Sequence, residues 1–327
     1  MKFPLNAYAL ALGGALLAST LALPIWRRWC VAVGLVDDPG HRKIHSTPIP
    51  LAGGLAVLTG MLLPLLAGLL LVKFGWLPEG LTGPLAHGFG RRAGELAAIL
   101  AGAVGMVLLG VWDDKVELGA GIKFAGQTLI ALLVAAAGVR ITVFVPSVAF
   151  SYAITVLWIL TVINAFNFMD NMNGLCPGLG AIGAAGFAII AAGHGQYLVA
   201  LLALLACGAL LGFLPYNYPR ATAFLGDAGS HLVGYLLAVL AILPHFYSAK
   251  RPQPLAVLSP LLVLAVPLAD MAWVVVLRTR MGKPFYIGDT NHLSHRLVRR
   301  GLSKAAAVAV IWGLAAATVA AAVALNW

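Results

Sequence analysis

Apolar runs of roughly 20 residues recur along this chain, each long enough to cross the hydrocarbon core of a bilayer as a helix. Hydropathy and loop punctuation place ten, at about 5–25, 51–73, 95–112, 123–139, 147–166, 177–194, 196–214, 229–247, 256–277 and 304–325. Composition agrees: 61% of residues are hydrophobic and 10% charged, where a soluble domain carries roughly 25% charged residues. The expectation is an all-α, polytopic integral membrane protein with about ten transmembrane helices. Residues 1–327 read as one transmembrane domain with no linker or internal repeat. The apolar stretch after Lys2 reads as a retained first span, since further spans follow Arg27-Arg28.

The net charge is +10. In a soluble chain that would suggest nucleic acid, but here the basic residues lie in short loops and report orientation. Ten spans put both termini on one side, and the loop Lys and Arg then divide 14 to 7. The richer set, from Arg27 to Lys304, should face the cytoplasm, leaving both termini outside. The acids are more one-sided. Asp37, Asp38, Asp113, Asp114, Glu117, Asp170, Asp227 and Asp289 fall at the cytoplasmic face, Glu79 and Glu95 outside, and Asp270 inside a span. Acids contribute little to topology, so a polar site at the cytoplasmic face is the better cause. Cys30, Cys176 and Cys207 show no paired or metal-binding spacing.

Five stretches carry the candidate chemistry. In "GVWDDKVELGAGIKFAGQ", Asp113-Asp114 follows an apolar run. The pair is either a solvated turn or a site for a hard cation such as Mg²⁺ and its phosphate partners. Lys123 can snorkel back to the same surface and meet a phosphate. In "VINAFNFMDNMNGLCPG", Asn164, Asn167, Asp170 and Asn173 recur every three residues along one broad helix face. Turn chemistry explains Asn173-Gly174 but not Asn164 and Asn167 inside a hydrophobic run. "AFLGDAGSHLVG" sets Asp227 between glycines at a helix start, which suits a phosphate or a simple cap. In "GDTNHLSHRLVRRGLS", His292 and His295 share a helix face beside Arg296. A zinc pair lacks cysteine partners, phosphate oxygens suit Arg and His better, and anionic lipid headgroups are the plainer reading for the arginines. "VDDPGHRKIHSTPIPLAGG" can supply part of a phosphate-binding rim. Together the stretches suggest a magnesium and diphosphate site at the cytoplasmic face.

At these residues, from "DDPGHRKIHSTPIPLAGG" to "HLSHRLVRRGLS", the chain resembles the polyprenyl-phosphate N-acetylhexosamine-1-phosphate transferase family. The bacterial branch using UDP-N-acetylglucosamine looks most similar, and the peptidoglycan branch is the alternative. The resemblance implies transfer of N-acetylhexosamine-1-phosphate from a UDP-sugar to undecaprenyl phosphate, with release of UMP. It implies Mg²⁺ as cofactor, replaceable by Mn²⁺, in a bacterial cytoplasmic membrane. Asp113, Asp114, Asp170, His292 and His295 match catalytic positions. Asn167 and Asp227 match magnesium ligands. Lys123 matches a lysine near the nucleotide-sugar phosphates and Phe224 an aromatic that stacks on uracil, and Asn173, Arg296 and His45 join them as substrate-binding candidates. Ser294 departs from the family's His-x-His-His pattern. Asn173 stands where many bacterial members have aspartate, and so is not read as a catalytic acid. No nucleic-acid partner is expected, and a homodimer is left open. A secondary transporter is the rival class, disfavoured because Asp270 alone is intramembrane and no repeat is visible. A non-catalytic lipid-binding protein is a third option.

Overall fold

The computed structural model describes every residue except 1–2, 39–46, 77–82, 84–85, 87, 91, 143–144, 245, 247–252, 285 and 287–288. His45 therefore lies outside the described residues. The helices in chain order are α1 (Leu5–Val33), α2 (Gly53–Lys73), α3 (Ala93–Val116), α4 (Ala120–Ala136), α5 (Val148–Met169), α6 (Leu175–Gly193), α7 (Tyr197–Phe213), α8 (Gly226–Ile242), α9 (Ser259–Val263), α10 (Ala265–Arg280), α11 (Leu293–Arg299) and α12 (Lys304–Ala324). The strands among the described residues are Val36–Asp37 and Ile49–Pro50, paired antiparallel with Val36 opposite Pro50. This is an all-α polytopic membrane protein.

Among the described residues, seven helices are long and apolar enough to span a bilayer: α1, α2, α3, α5, α6, α7 and α12. A bent pair, Pro254–Val263 with Ala265–Arg280, would make an eighth. The expected single span at 256–277 is thus broken, by 67°. Pro267 is the physical cause. It has no N–H to give the carbonyl of Val263, the residue where α9 ends. Two further expected spans correspond to α4 and α8, apolar helices too short to be counted with the others.

Helix α8 explains its own shortness. Every residue in it except Asp227 and Ile242 is buried, and it packs against α2, α3, α5 and α6. A helix enclosed by protein need not match the bilayer thickness with its own length. Two polar groups along it are met by neighbours: Tyr235 Oη donates to Ile99 O at 2.9 Å, and the Ala238 carbonyl accepts from Trp158 Nε1 at 3.1 Å.

Close backbone approaches seat the start of α8. A Cβ added at Gly110 of α3 would lie 2.3 Å from Ala228 Cα, and one at Gly54 of α2 would lie 2.5 Å from Gly229 N. Neither position has room for a side chain. The backbone completes the seam, with Gly53 N donating to Phe224 O at 2.9 Å and Gly54 N to Leu225 O at 3.1 Å.

Asn164 has a membrane-interior explanation. Its Nδ2 donates to Gln127 Oε1 of α4 at 2.9 Å and to Leu160 O at 2.8 Å. Gln127 is buried, so each side chain removes the other's need for water. Interhelical pairs of this type contribute about 0.6 kcal/mol on average. A double-mutant cycle over Asn164→Leu and Gln127→Leu, read by thermal unfolding in detergent, should therefore give a coupling of roughly 0.5–1.5 kcal/mol, with the catalytic rate of Asn164→Leu changing little.

Candidate active site

Four helix ends meet at one end of the bundle. The C-terminal turns of α3 and α5 bring Asp113, Asp114, Asn167 and Asp170; the N-terminal turns of α4 and α8 bring Lys123 and Asp227. With Asp37, Asp38, Leu51, Glu117 and Gly226 they line a cavity of about 690 Å³. Asp113 and Asp114 sit inside the last turn of α3, because the helix runs on to Val116 rather than ending at the expected residue 112.

Acids at a helix C-terminus are unfavourable on their own, and the two solve this differently. Asp114 caps α8: its Oδ1 accepts from Asp227 N at 2.8 Å and its Oδ2 from Ala228 N at 3.1 Å. The negative end of α3 thus meets the positive end of α8. Asp113 is buried; its Oδ1 accepts from Leu118 N at 2.8 Å, and its Oδ2 pairs with Lys123 Nζ.

Lys123 Nζ also lies 3.5 Å from Asp227 Oδ2. On the other side, Asn167 Nδ2 donates to Asp227 Oδ1 at 2.7 Å and to Ser230 Oγ at 3.0 Å. Asp227 is therefore held from both sides at the mouth of its own helix. Asp170 caps the end of α5. Burial, with the Asp227 and Asp114 carboxylates alongside, pushes its carboxyl up to about 8.

Asp113, Asp227 and His231 bring ligand atoms within 4.8 Å of one another, the one such group among the described residues. Two carboxylates and a buried imidazole fit a divalent cation.

The remaining candidates go elsewhere. Asn173 Nδ2 donates to Pro219 O at 3.3 Å, beside a turn where Gly174 N donates to Asn217 Oδ1. Phe224 joins the α2 seam through its backbone, its N donating to Pro50 O at 3.0 Å. Arg296 lies over the Trp273 ring at 4.9 Å. None of these lines the carboxylate cavity. His292 is buried, with Nδ1 2.7 Å from Asp270 Oδ2, while Asp270 Oδ1 accepts from Leu293 N. Asp270, without a role in the sequence reading, thus anchors both His292 and the start of α11. His295 is held below its ordinary value by burial and by the neighbouring His292, Arg299 and Lys304. The segment meets the end of α5 through Asn171 beside Asp170, the Asn171 Oδ1 accepting from Ser294 Oγ at 2.6 Å, and through Phe168, edge-on to His292 at 5.8 Å.

A second tie holds the loop before α11. Burial pushes the Asp289 carboxyl up, but hydrogen bonds from Arg278 and Asn291 outweigh this and hold it at about 2. The ordinary value is about 3.9. A lowered folded-state value stabilises above pH ~4 and is lost as pH falls through ~2. Asp289→Asn should lower the melting temperature at pH 7, and the gap from wild type should narrow as the pH falls from about 4 toward 2.

A family model described as glycosyl transferase family 4 matches residues 96–245, the stretch that holds α3 to α8. Over 306 residues the chain is 32% identical to the "Probable undecaprenyl-phosphate N-acetylglucosaminyl 1-phosphate transferase" of Bacillus subtilis (strain 168), across 91% of this chain and 79% of that protein. The chain belongs to glycosyl transferase family 4. It is also 34% identical over 308 residues to the decaprenyl-phosphate N-acetylglucosaminephosphotransferase of Mycobacterium tuberculosis (strain H37Rv), across 86% of this chain and 73% of that protein. A more distant relative is the undecaprenyl-phosphate alpha-N-acetylglucosaminyl 1-phosphate transferase of Escherichia coli (strain K12), 28% identical over 311 residues, across 90% of this chain and 77% of that protein.

In this family 4 member the motif reading missed His231, Asp37 and Asp38 as site residues. His231 sits four residues past Asp227, hence on the same helix face, and that spacing was the available signal. Asp37 and Asp38 were visible only as part of a loop, and the short strand pairing brings them to the cavity.

Proposed function

We propose that this family 4 enzyme transfers N-acetylglucosamine-1-phosphate from UDP-N-acetylglucosamine to undecaprenyl phosphate, releasing UMP. The carrying observation is the cavity's charge. Among the described residues, seven carboxylates and one lysine line it. Two like unit charges 4 Å apart repel by about 4 kcal/mol at an effective dielectric of 20. A diphosphate would be rejected from such a site unless cations enter with it. A divalent cation, Mg²⁺ by preference of the oxygen donors, would neutralise the diphosphate and the charge developing on the leaving UMP. Asp227 and Asp113, with Asn167 holding Asp227 in place, are the residues to hold it.

Lys123 would supply a fixed positive charge to the donor phosphates. Asp114 sets the first turn of α8 and thereby the position of Asp227. The acceptor phosphate, with a second pKa of about 6, is largely dianionic at neutral pH. One of its oxygens attacks the sugar-bearing phosphorus; that P–O bond forms as the P–O bond to UMP breaks, and UMP leaves with the electron pair. No strong general base is required. The 14 to 7 division of loop Lys and Arg supports a bacterial cytoplasmic membrane with this end of the bundle inside.

Purified protein in detergent, given undecaprenyl phosphate and a panel of UDP-sugars with Mg²⁺, tests the reading. UMP release and a lipid-linked product are expected with UDP-N-acetylglucosamine. No turnover with any UDP-sugar would sink it.

A further inference from the structure

Histidine is an expensive residue to place inside a membrane-embedded helix. His231 is 1% exposed, and its Nδ1 is buried without a hydrogen-bond partner. An unsatisfied buried polar atom costs about 1–3 kcal/mol, in a helix whose other polar groups are well served. Ser230 beside it takes the bond from Asn167, and Tyr235 one turn on reaches Ile99 O. The imidazole stands out as the group on α8 left wanting a partner.

Its position supplies the partner. One helical turn separates it from Asp227, and a ring nitrogen lies within 4.8 Å of carboxylate oxygens of both Asp227 and Asp113. Ligand atoms about 2.1 Å from one octahedral ion stand roughly 3 Å apart when adjacent and roughly 4.2 Å apart when opposite. At most one of the three pairs can be opposite, so separations of up to 4.8 Å must close by as much as about 1.8 Å for all three groups to share one ion. A buried imidazole suits that role: a ring nitrogen lone pair is a metal ligand, and two carboxylates supply the charge.

We propose that His231 is a nitrogen ligand of the divalent cation held by Asp113 and Asp227. This rests on the reading that the carboxylate cavity binds such a cation. The consequence is a mixed oxygen and nitrogen site. Imidazole favours transition metals, whereas carboxylate alone suits Mg²⁺ and Mn²⁺ alike. The site should bind Mn²⁺ more tightly than Mg²⁺, and His231 should be the cause.

The test is pulsed EPR on the full chain in detergent, with Mn²⁺ alone as the probe. Wild type should show a ¹⁴N coupling on bound Mn²⁺ that converts to a ¹⁵N pattern when the protein is grown with ¹⁵N-histidine. His231→Gln should lose that coupling and bind Mn²⁺ at least 10-fold more weakly, while Mg²⁺ affinity, measured by competition, changes less. Bound Mn²⁺ that is released by Asp227→Asn but shows no histidine coupling would overturn the proposal and leave the cation site standing. A coupling that persists in His231→Gln would overturn it too, by assigning another histidine. Wild type that binds no Mn²⁺, or holds it undiminished in Asp227→Asn, would overturn both this proposal and the cation reading beneath it. Where His231→Gln fails to fold, His231→Asn serves as the second variant, and a wild-type spectrum without a histidine coupling overturns the proposal on its own.

Discussion

Asp227→Asn should lower the catalytic rate by about 10³-fold while leaving the fold intact. Loss of a single charge-stabilising group at a preorganised site typically costs 10²–10³-fold, and Asp227 holds a more central place than most. It lines the cavity at the start of a helix that is otherwise almost entirely buried. Lys123 approaches one of its oxygens and Asn167 the other. An asparagine there keeps the shape but removes a charge, and its amide NH₂ must face one of two donors. Single-turnover rates at saturating Mg²⁺ and both substrates would read the loss, and circular dichroism would check the helices. A variant within tenfold of wild type would remove Asp227 from the chemistry.

Asp114→Asn should behave differently, losing stability and activity together. Both Asp114 oxygens accept backbone N–H groups from the first turn of α8. An asparagine can accept only one, and its NH₂ then opposes the other N–H. Hydrogen bonds to a charged group contribute about 1.5–3 kcal/mol each, so unfolding in detergent should be easier by about 2 kcal/mol. The rate should fall by about 10²-fold, because the turn that carries Asp227 loses its anchor. Thermal melts and rates measured on the same preparations would show both changes. Full stability with a large rate loss would instead place Asp114 on the substrate or the metal.

The contrast between these two aspartates shows what the sequence could and could not reveal. Asp113-Asp114 looked like one motif just outside a span. In the structure the pair lies within α3, Asp114 serving as a helix cap and Asp113 as the partner of Lys123. Spacing along a chain does not say which neighbour each carboxylate meets. Sidedness did better. Hydropathy assigns helix ends to one face or the other, and that was enough to gather Asp113, Asp114, Lys123, Asn167, Asp170 and Asp227. It could not place side chains within the face: Asn173, Phe224 and Arg296 lie outside the cavity lining, beside a turn, a backbone seam and a tryptophan ring. Asp270 and His292, 22 residues apart, carry no periodic signal that would pair them. His231 lies within an apolar run and reads as part of the core, which outweighs its four-residue step from Asp227. The helix count met a similar limit. An apolar stretch broken at Pro267 and an enclosed helix such as α8 look like ordinary spans to any sliding window.

Isothermal titration of UDP-N-acetylglucosamine into the purified protein, in EDTA and then in Mg²⁺, tests most directly whether the carboxylate cavity takes a diphosphate together with a cation. No measurable binding in EDTA, with binding restored by Mg²⁺ in wild type and not in Asp227→Asn, is the expected result. Equal affinity in EDTA and Mg²⁺ would contradict the account, because the seven carboxylates and one lysine that line the cavity among the described residues would then be admitting a polyanion unaided.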